Sequence, residues 1–154
     1  MELRFVLTDG NEHEAVWALA REMCGGERLW KEEGGQPRRE GGYLSLSHSH
    51  GLAACAVDQH PIGVDVERVR PVPPRLLRIL SPEERAYVRC DADFFRLWTL
   101  KESLIKCRGG HLGQLRHIHF RISGSSIRCS VPGYDFSLPT APEDYVAALC
   151  RKLL

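Results

Sequence analysis

The chain has 154 residues, 43% of them apolar and 27% charged, with a formal net charge of +1 and a pI near 7.7. That is the size and composition of one globular domain rather than a disordered segment. The near-zero net charge provides no whole-protein field for nucleic acid, and no apolar run approaches the ~20 residues needed to cross a bilayer.

Residues 3 to 7 (LRFVL) predict a strand. NEHEAVWALAREMCGG then carries helix signals at both ends: Asn11 as cap, Glu14 three residues on, and Gly25-Gly26 as the stop. Residues 33 to 42 (EGGQPRREGG) read as a flexible, partly basic loop, and YLSLSHSHGLAACAVD as strand, turn, strand. PIGVDVERV is a further strand, and the three prolines of RPVPP break regular structure. Ser81-Pro82-Glu83-Glu84 is a capping-box start for a helix from about Pro82 to Cys90. Asp93 is read as the cap of a second helix running to about Cys107 and stopped by Gly109 and Gly110. HIHFRI, SIRCSV and YVAALCR read as strands joined by GSS and by the loop PGYDFSLPTAPED. The pattern is mixed α+β.

The six cysteines (Cys24, Cys55, Cys90, Cys107, Cys129 and Cys150) form no CxxC pair, which argues for reduced thiols in a cytoplasm rather than a zinc site. The amino-terminal MELRFVLTDGNEHE lacks the basic flank and apolar centre of a signal peptide. His117 and His119 share a strand face in this reading, but no acidic or thiol partner stands at ligand spacing. Trp98 and Phe94-Phe95 read as core rather than a base-stacking platform.

Two local features stand out. Asp65 and Glu67 alternate with Val64 and Val66, so both carboxylates point to the same side of their strand. Either that face is wet or a positive partner belongs between them. On the helix FFRLWTLKESLIKC, at about 100° per residue, Phe94, Leu97, Trp98, Leu104 and Ile105 form one apolar face. Glu102 and Lys106 lie together just beyond its edge, either as a surface i,i+4 pair or as part of a site. Lys101 falls in the middle of the apolar face, where it must snorkel or meet an anion. Three carboxylates and two lysines on two structured elements are the hard oxygen ligands and cations that a magnesium-bound polyphosphate needs.

LSLSHSHG, IGVDVERV and LWTLKESLIKCRGG, in that order and with the SPEER helix start before the last, resemble the 4′-phosphopantetheinyl transferase superfamily of the surfactin-synthetase-activating type. The resemblance covers roughly residues 35 to 150. It implies that fold, with two αβ halves (about 1–60 and 61–154) in a pseudo-two-fold arrangement within one domain, the first half shortened. It implies transfer of the 4′-phosphopantetheine of coenzyme A to a serine of an acyl or peptidyl carrier protein, releasing 3′,5′-ADP. By the same resemblance Asp65, Glu67 and Glu102 hold Mg²⁺, with Mn²⁺ as the alternative, and Glu102 takes the serine proton. Lys106 pairs with the pyrophosphate, Lys101 approaches it or braces the helix, and Ser47 and His48 bind phosphates at the nucleotide end.

Gly35-Gln36-Pro37 stands where the family often has Gly-Lys-Pro, and the early basic helix of the family has no counterpart in this sequence. Arg38 and Arg39 are then either substitute phosphate partners or an exposed basic loop. The expectation is a cytoplasmic monomer, with a dimer as the alternative and neither nucleic acid nor membrane as partner. A transferase-like regulatory protein that binds coenzyme A or a carrier but turns over poorly is the competing reading.

Overall fold

The computed structural model describes residues 1–154. Its α+β architecture rests on two three-stranded antiparallel sheets. The first has the order β1 (Glu2–Leu7), β5 (Leu52–Asp58), β4 (Tyr43–Ser49). Between β4 and β5 the chain reverses through His50 (φ 43°) and Gly51 (φ 90°), the two left-handed residues of a tight hairpin turn. Helix α1 (Glu12–Met23), capped by the Asn11 side chain on the Glu14 N–H, packs on one face of this sheet. There Leu19, Ala20 and Cys24 meet Leu44, Cys55 and Val57.

The second sheet has the order β6 (Ile62–Arg68), β10 (Tyr145–Lys152), β9 (Tyr134–Ser137). The strand alternation read from the sequence holds. Val64 and Val66 turn inward against Leu52, Ala54 and Ala56 of β5, while the odd-numbered residues face α3 (Asp91–Arg108). Gly63 is what lets α3 lie so close: a Cβ there would stand 1.9 Å from the Ser103 carbonyl oxygen and 2.6 Å from the Cys107 nitrogen. The largest core cluster surrounds this helix, with Phe94, Leu97, Leu100 and Leu104 packed against Ile118, Phe120, Ala148 and Cys150.

Several sequence expectations are corrected. The stretch read as a loop at 33–42 belongs to a hairpin of β2 (Leu29–Lys31) and β3 (Pro37–Arg39), too short and polar to show periodicity. Strand β9 lies inside what reads as a loop. Helix α2 (Pro82–Tyr87) has the full capping box but stops three residues early, because Cys90 already begins the next helix. Asp93 is not the cap of α3; it sits in the first turn and accepts the Arg89 N–H. His117 lies in a short 3₁₀ turn (Leu112–His117) ahead of the hairpin β7 (Phe120–Ser123) and β8 (Ser126–Cys129), so it shares no strand face with His119. All six cysteines are free thiols, with Cys90 exposed. No helix is long and apolar enough to cross a membrane.

Candidate active site

Strands β4 and β6 run side by side in the same direction yet belong to different sheets. The Oγ atoms of Ser45, Ser47 and Ser49 accept the backbone N–H groups of Val64, Val66 and Arg68 at 2.9, 3.1 and 3.2 Å. Along this seam, β6 turns Asp65 and Glu67 toward α3. Glu102, Lys106 and Trp98 approach from α3 and His48 from β4, around a cleft of about 360 Å³. The three acids predicted from the sequence therefore line one cleft.

Their electrostatics are those of crowded, dehydrated carboxylates. Asp65 is buried, and Lys106 Nζ (2.8 Å) and Ser47 Oγ (3.0 Å) both donate to its Oδ1. Burial pushes its pKa up, with Lys106 pulling against that. Its Oδ2 is buried and has no hydrogen-bond partner. Glu67 receives Ser49 Oγ (3.0 Å) and Arg70 Nη1 (2.8 Å) on Oε2. Glu102 is pushed up to about 7, first by burial and then by the negative charge of Asp65. Lys106 thus serves Asp65 rather than forming the i,i+4 pair with Glu102.

No three His, Cys, Asp or Glu side chains are drawn together tightly enough to make a ready-made metal centre. The donor chemistry nonetheless fits a hard divalent cation, because three carboxylates line the cleft and Asp65 Oδ2 lacks the partner that a buried acceptor requires.

Lys106 also lines a second cavity of about 430 Å³, walled by the Gly34–Arg38 turn, Tyr134, Arg108 and Lys152. Arg38, Lys106, Arg108 and Lys152 put four cations and no carboxylate on its wall. Within it, Arg38 is steadied by Glu32 (2.8 Å) and by Gln36 (2.9 Å).

Of the two roles expected for Lys101 the structure gives the second, and the Ser47 hydroxyl is engaged otherwise than expected. Lys101 does not approach the site. It is wholly buried and donates to Glu84 Oε2 (3.0 Å) and to the carbonyls of Leu115 and Ile118, so it braces α3 against α2 and the 3₁₀ turn. Ser47 lines the acidic cleft, but its only proton is committed to Asp65 and its oxygen to Val66, leaving no free donor for a phosphate. His48 is more accessible; its Nδ1 lies 3.0 Å from Glu12 Oε2, at the mouth of a smaller pocket with His13, Trp17 and Lys31. His50 Nδ1 stands 3.1 Å from Ser49 Oγ. Sequence reasoning missed Ser49, Arg70, Arg108 and Lys152. For Ser49 a signal existed, since Ser45, Ser47 and Ser49 at period two put three hydroxyls on one side of β4.

The model of the 4′-phosphopantetheinyl transferase superfamily matches residues 61–150, more than half of the chain, and the chain belongs to that superfamily. It is 29% identical over 126 residues to a 4′-phosphopantetheinyl transferase of Bacillus subtilis, covering 70% of this chain and 54% of the relative. It is 36% identical over 100 residues to the 4′-phosphopantetheinyl transferase HetI of Nostoc sp., covering 54% of this chain and 40% of the relative. To the 4′-phosphopantetheinyl transferase Sfp of Bacillus subtilis strain 168 it is 28% identical over 140 residues, 73% of this chain and 62% of the relative. The matched region spans about half the length of these curated relatives.

Proposed function

We propose that this protein transfers the 4′-phosphopantetheine group of coenzyme A to a serine of an acyl or peptidyl carrier protein, releasing 3′,5′-ADP. The observation that carries this reading is that Lys106 lines two cavities, one bearing three acids and one whose charged groups are all basic. A ligand with several phosphates is the chemical match: its phosphates suit the basic wall, and a cation-bound pyrophosphate suits the acids.

In this reading Asp65, Glu67 and Glu102 hold Mg²⁺ or Mn²⁺, which supplies charge cancellation on the pyrophosphate oxygens. Lys106 moves between Asp65 and the pyrophosphate, a short step because it already borders both spaces. Arg38, Arg108 and Lys152 meet the remaining phosphates, with His48 at the nucleotide end. The carrier serine oxygen forms a bond to the β-phosphorus as the bond from that phosphorus to the bridging oxygen breaks, and 3′,5′-ADP leaves. Glu102 takes the serine proton directly or through a water, as a carboxylate placed beside the metal and the incoming hydroxyl can. The chain acts as one domain whose two αβ halves, about 1–60 and 61–154, are related by a pseudo-two-fold axis, as a cytoplasmic monomer.

The test incubates the protein with Mg²⁺, coenzyme A and several apo carrier proteins, followed by intact-mass spectrometry. One added phosphopantetheine, abolished by EDTA, is expected. Coenzyme A binding with no gain on any carrier overturns the transferase reading in favour of a regulatory binder.

A further inference from the structure

The seam between β4 and β6 has a regular chemistry. A peptide N–H can only donate, and an ionised carboxylate can only accept. The direction of each serine rung is therefore fixed: Val66 N–H to Ser47 Oγ to Asp65 Oδ1, and Arg68 N–H to Ser49 Oγ to Glu67 Oε2. In both rungs the serine accepts from one residue of β6 and donates to the side chain just before it. The Ser45 rung repeats the first half only, because the residue before Val64 is Gly63, which has no side chain to receive the proton. The chain thus contains two complete rungs and one natural control. On each complete rung a cation also reaches the same carboxylate oxygen: Lys106 at Asp65 Oδ1 and Arg70 at Glu67 Oε2. The holding contacts accordingly gather on one oxygen of each acid, and Asp65 Oδ2 is left without a protein donor.

We infer that Ser47 and Ser49 are positioning residues, which fix the orientation of Asp65 and Glu67 so that one oxygen of each is held and the other is kept for a divalent cation. This rests on the reading that these acids bind such a cation. Hydroxyl partners of ligating carboxylates act in this way generally, and their loss weakens metal affinity by about 10- to 100-fold. Arg70, placed over the Phe95 ring at 4.7 Å, is the companion of Ser49 at Glu67.

The test uses the full chain and the variants Ser45→Ala, Ser47→Ala, Ser49→Ala and Ser49→Thr, with two readouts. In metal-free protein, amide hydrogen exchange followed by NMR should show loss of protection at Val64, Val66 and Arg68, each in the alanine variant of its own rung. Mn²⁺ affinity is then measured calorimetrically without coenzyme A. Ser47→Ala and Ser49→Ala should bind about 10-fold more weakly or worse, whereas Ser45→Ala and the hydroxyl-retaining Ser49→Thr should match wild type. Equal weakening in Ser45→Ala would reduce the seam to a structural role and overturn the inference. Wild-type affinity in both Ser47→Ala and Ser49→Ala would overturn it as well. Wild-type protein that binds no Mn²⁺, while the alanine variants show the exchange pattern, would instead refute the cation reading, and the inference would fall with it.

Discussion

Glu102→Gln should make the metal-free protein more stable, and by an amount that depends on pH. Burial and the charge of Asp65 raise Glu102 from 4.5 to about 7 in the folded protein. The folded state then binds more protons than the unfolded one between those values, so stability falls as pH rises through that window. Above it Glu102 is ionised in both states, and the full penalty is present. About 2.5 pH units at 1.36 kcal/mol each is about 3 kcal/mol, with little solvent relief because Glu102 is only 9% exposed. Glutamine keeps the shape and removes the charge. Thermal melts in EDTA should therefore show the variant higher by about 6–10 °C at pH 8, with the difference vanishing near pH 4. Equal melting at pH 8, or the same gain at both pH values, would refute the argument that charge crowding in the cleft is held at a cost to stability. Transfer activity should be lost at every pH.

Gly63→Ala should destabilise the fold by about 3 kcal/mol or more in urea titration, since its methyl would have to displace the backbone of α3. Lys101→Met should cost about 3–5 kcal/mol in the same measurement by leaving the Glu84 carboxylate buried and unpaired, and it should shift kcat/KM only to the extent that the helix moves. Ser81→Ala should cost about 1 kcal/mol by opening the capping box of α2. Lys106→Met should leave the fold intact, raise the pKa of Asp65 further by removing its counter-charge, and reduce transfer at least about 100-fold in the mass-spectrometric assay.

Much of this arrangement was legible in the chain because its cues are local. The period-two acids of β6 fixed which side Asp65 and Glu67 share, and Lys101 was visible as a cation on an apolar helix face. Its partner is not visible there, although the sequence marks Glu84 as a capping residue. One carboxylate does both tasks: Oε2 receives Ser81 N and Lys101 Nζ, and Oε1 receives Phe120 N. Nothing in spacing announces such a convergence. The same holds for β2, β3 and β9, three or four residues long, whose strand character comes from a neighbour rather than from their own periodicity. The cap of α3 misled for a related reason: Asp93 is chemically a good N-cap, but it binds the Arg89 N–H from inside the helix. The second cavity was illegible because Arg38, Arg108 and Lys152 meet only through tertiary packing.

The pairing of β6 has a consequence for how the molecule comes into being. Its sole backbone partner is β10, which follows roughly eighty residues later, whereas β1, β4 and β5 find each other within the first 58 residues. During synthesis a nascent chain can close its first sheet while the strand bearing Asp65 and Glu67 still awaits its mate. The acidic wall is thus among the last parts to set, and ribosome-bound intermediates stalled before residue 145 would carry the early sheet without the chemistry.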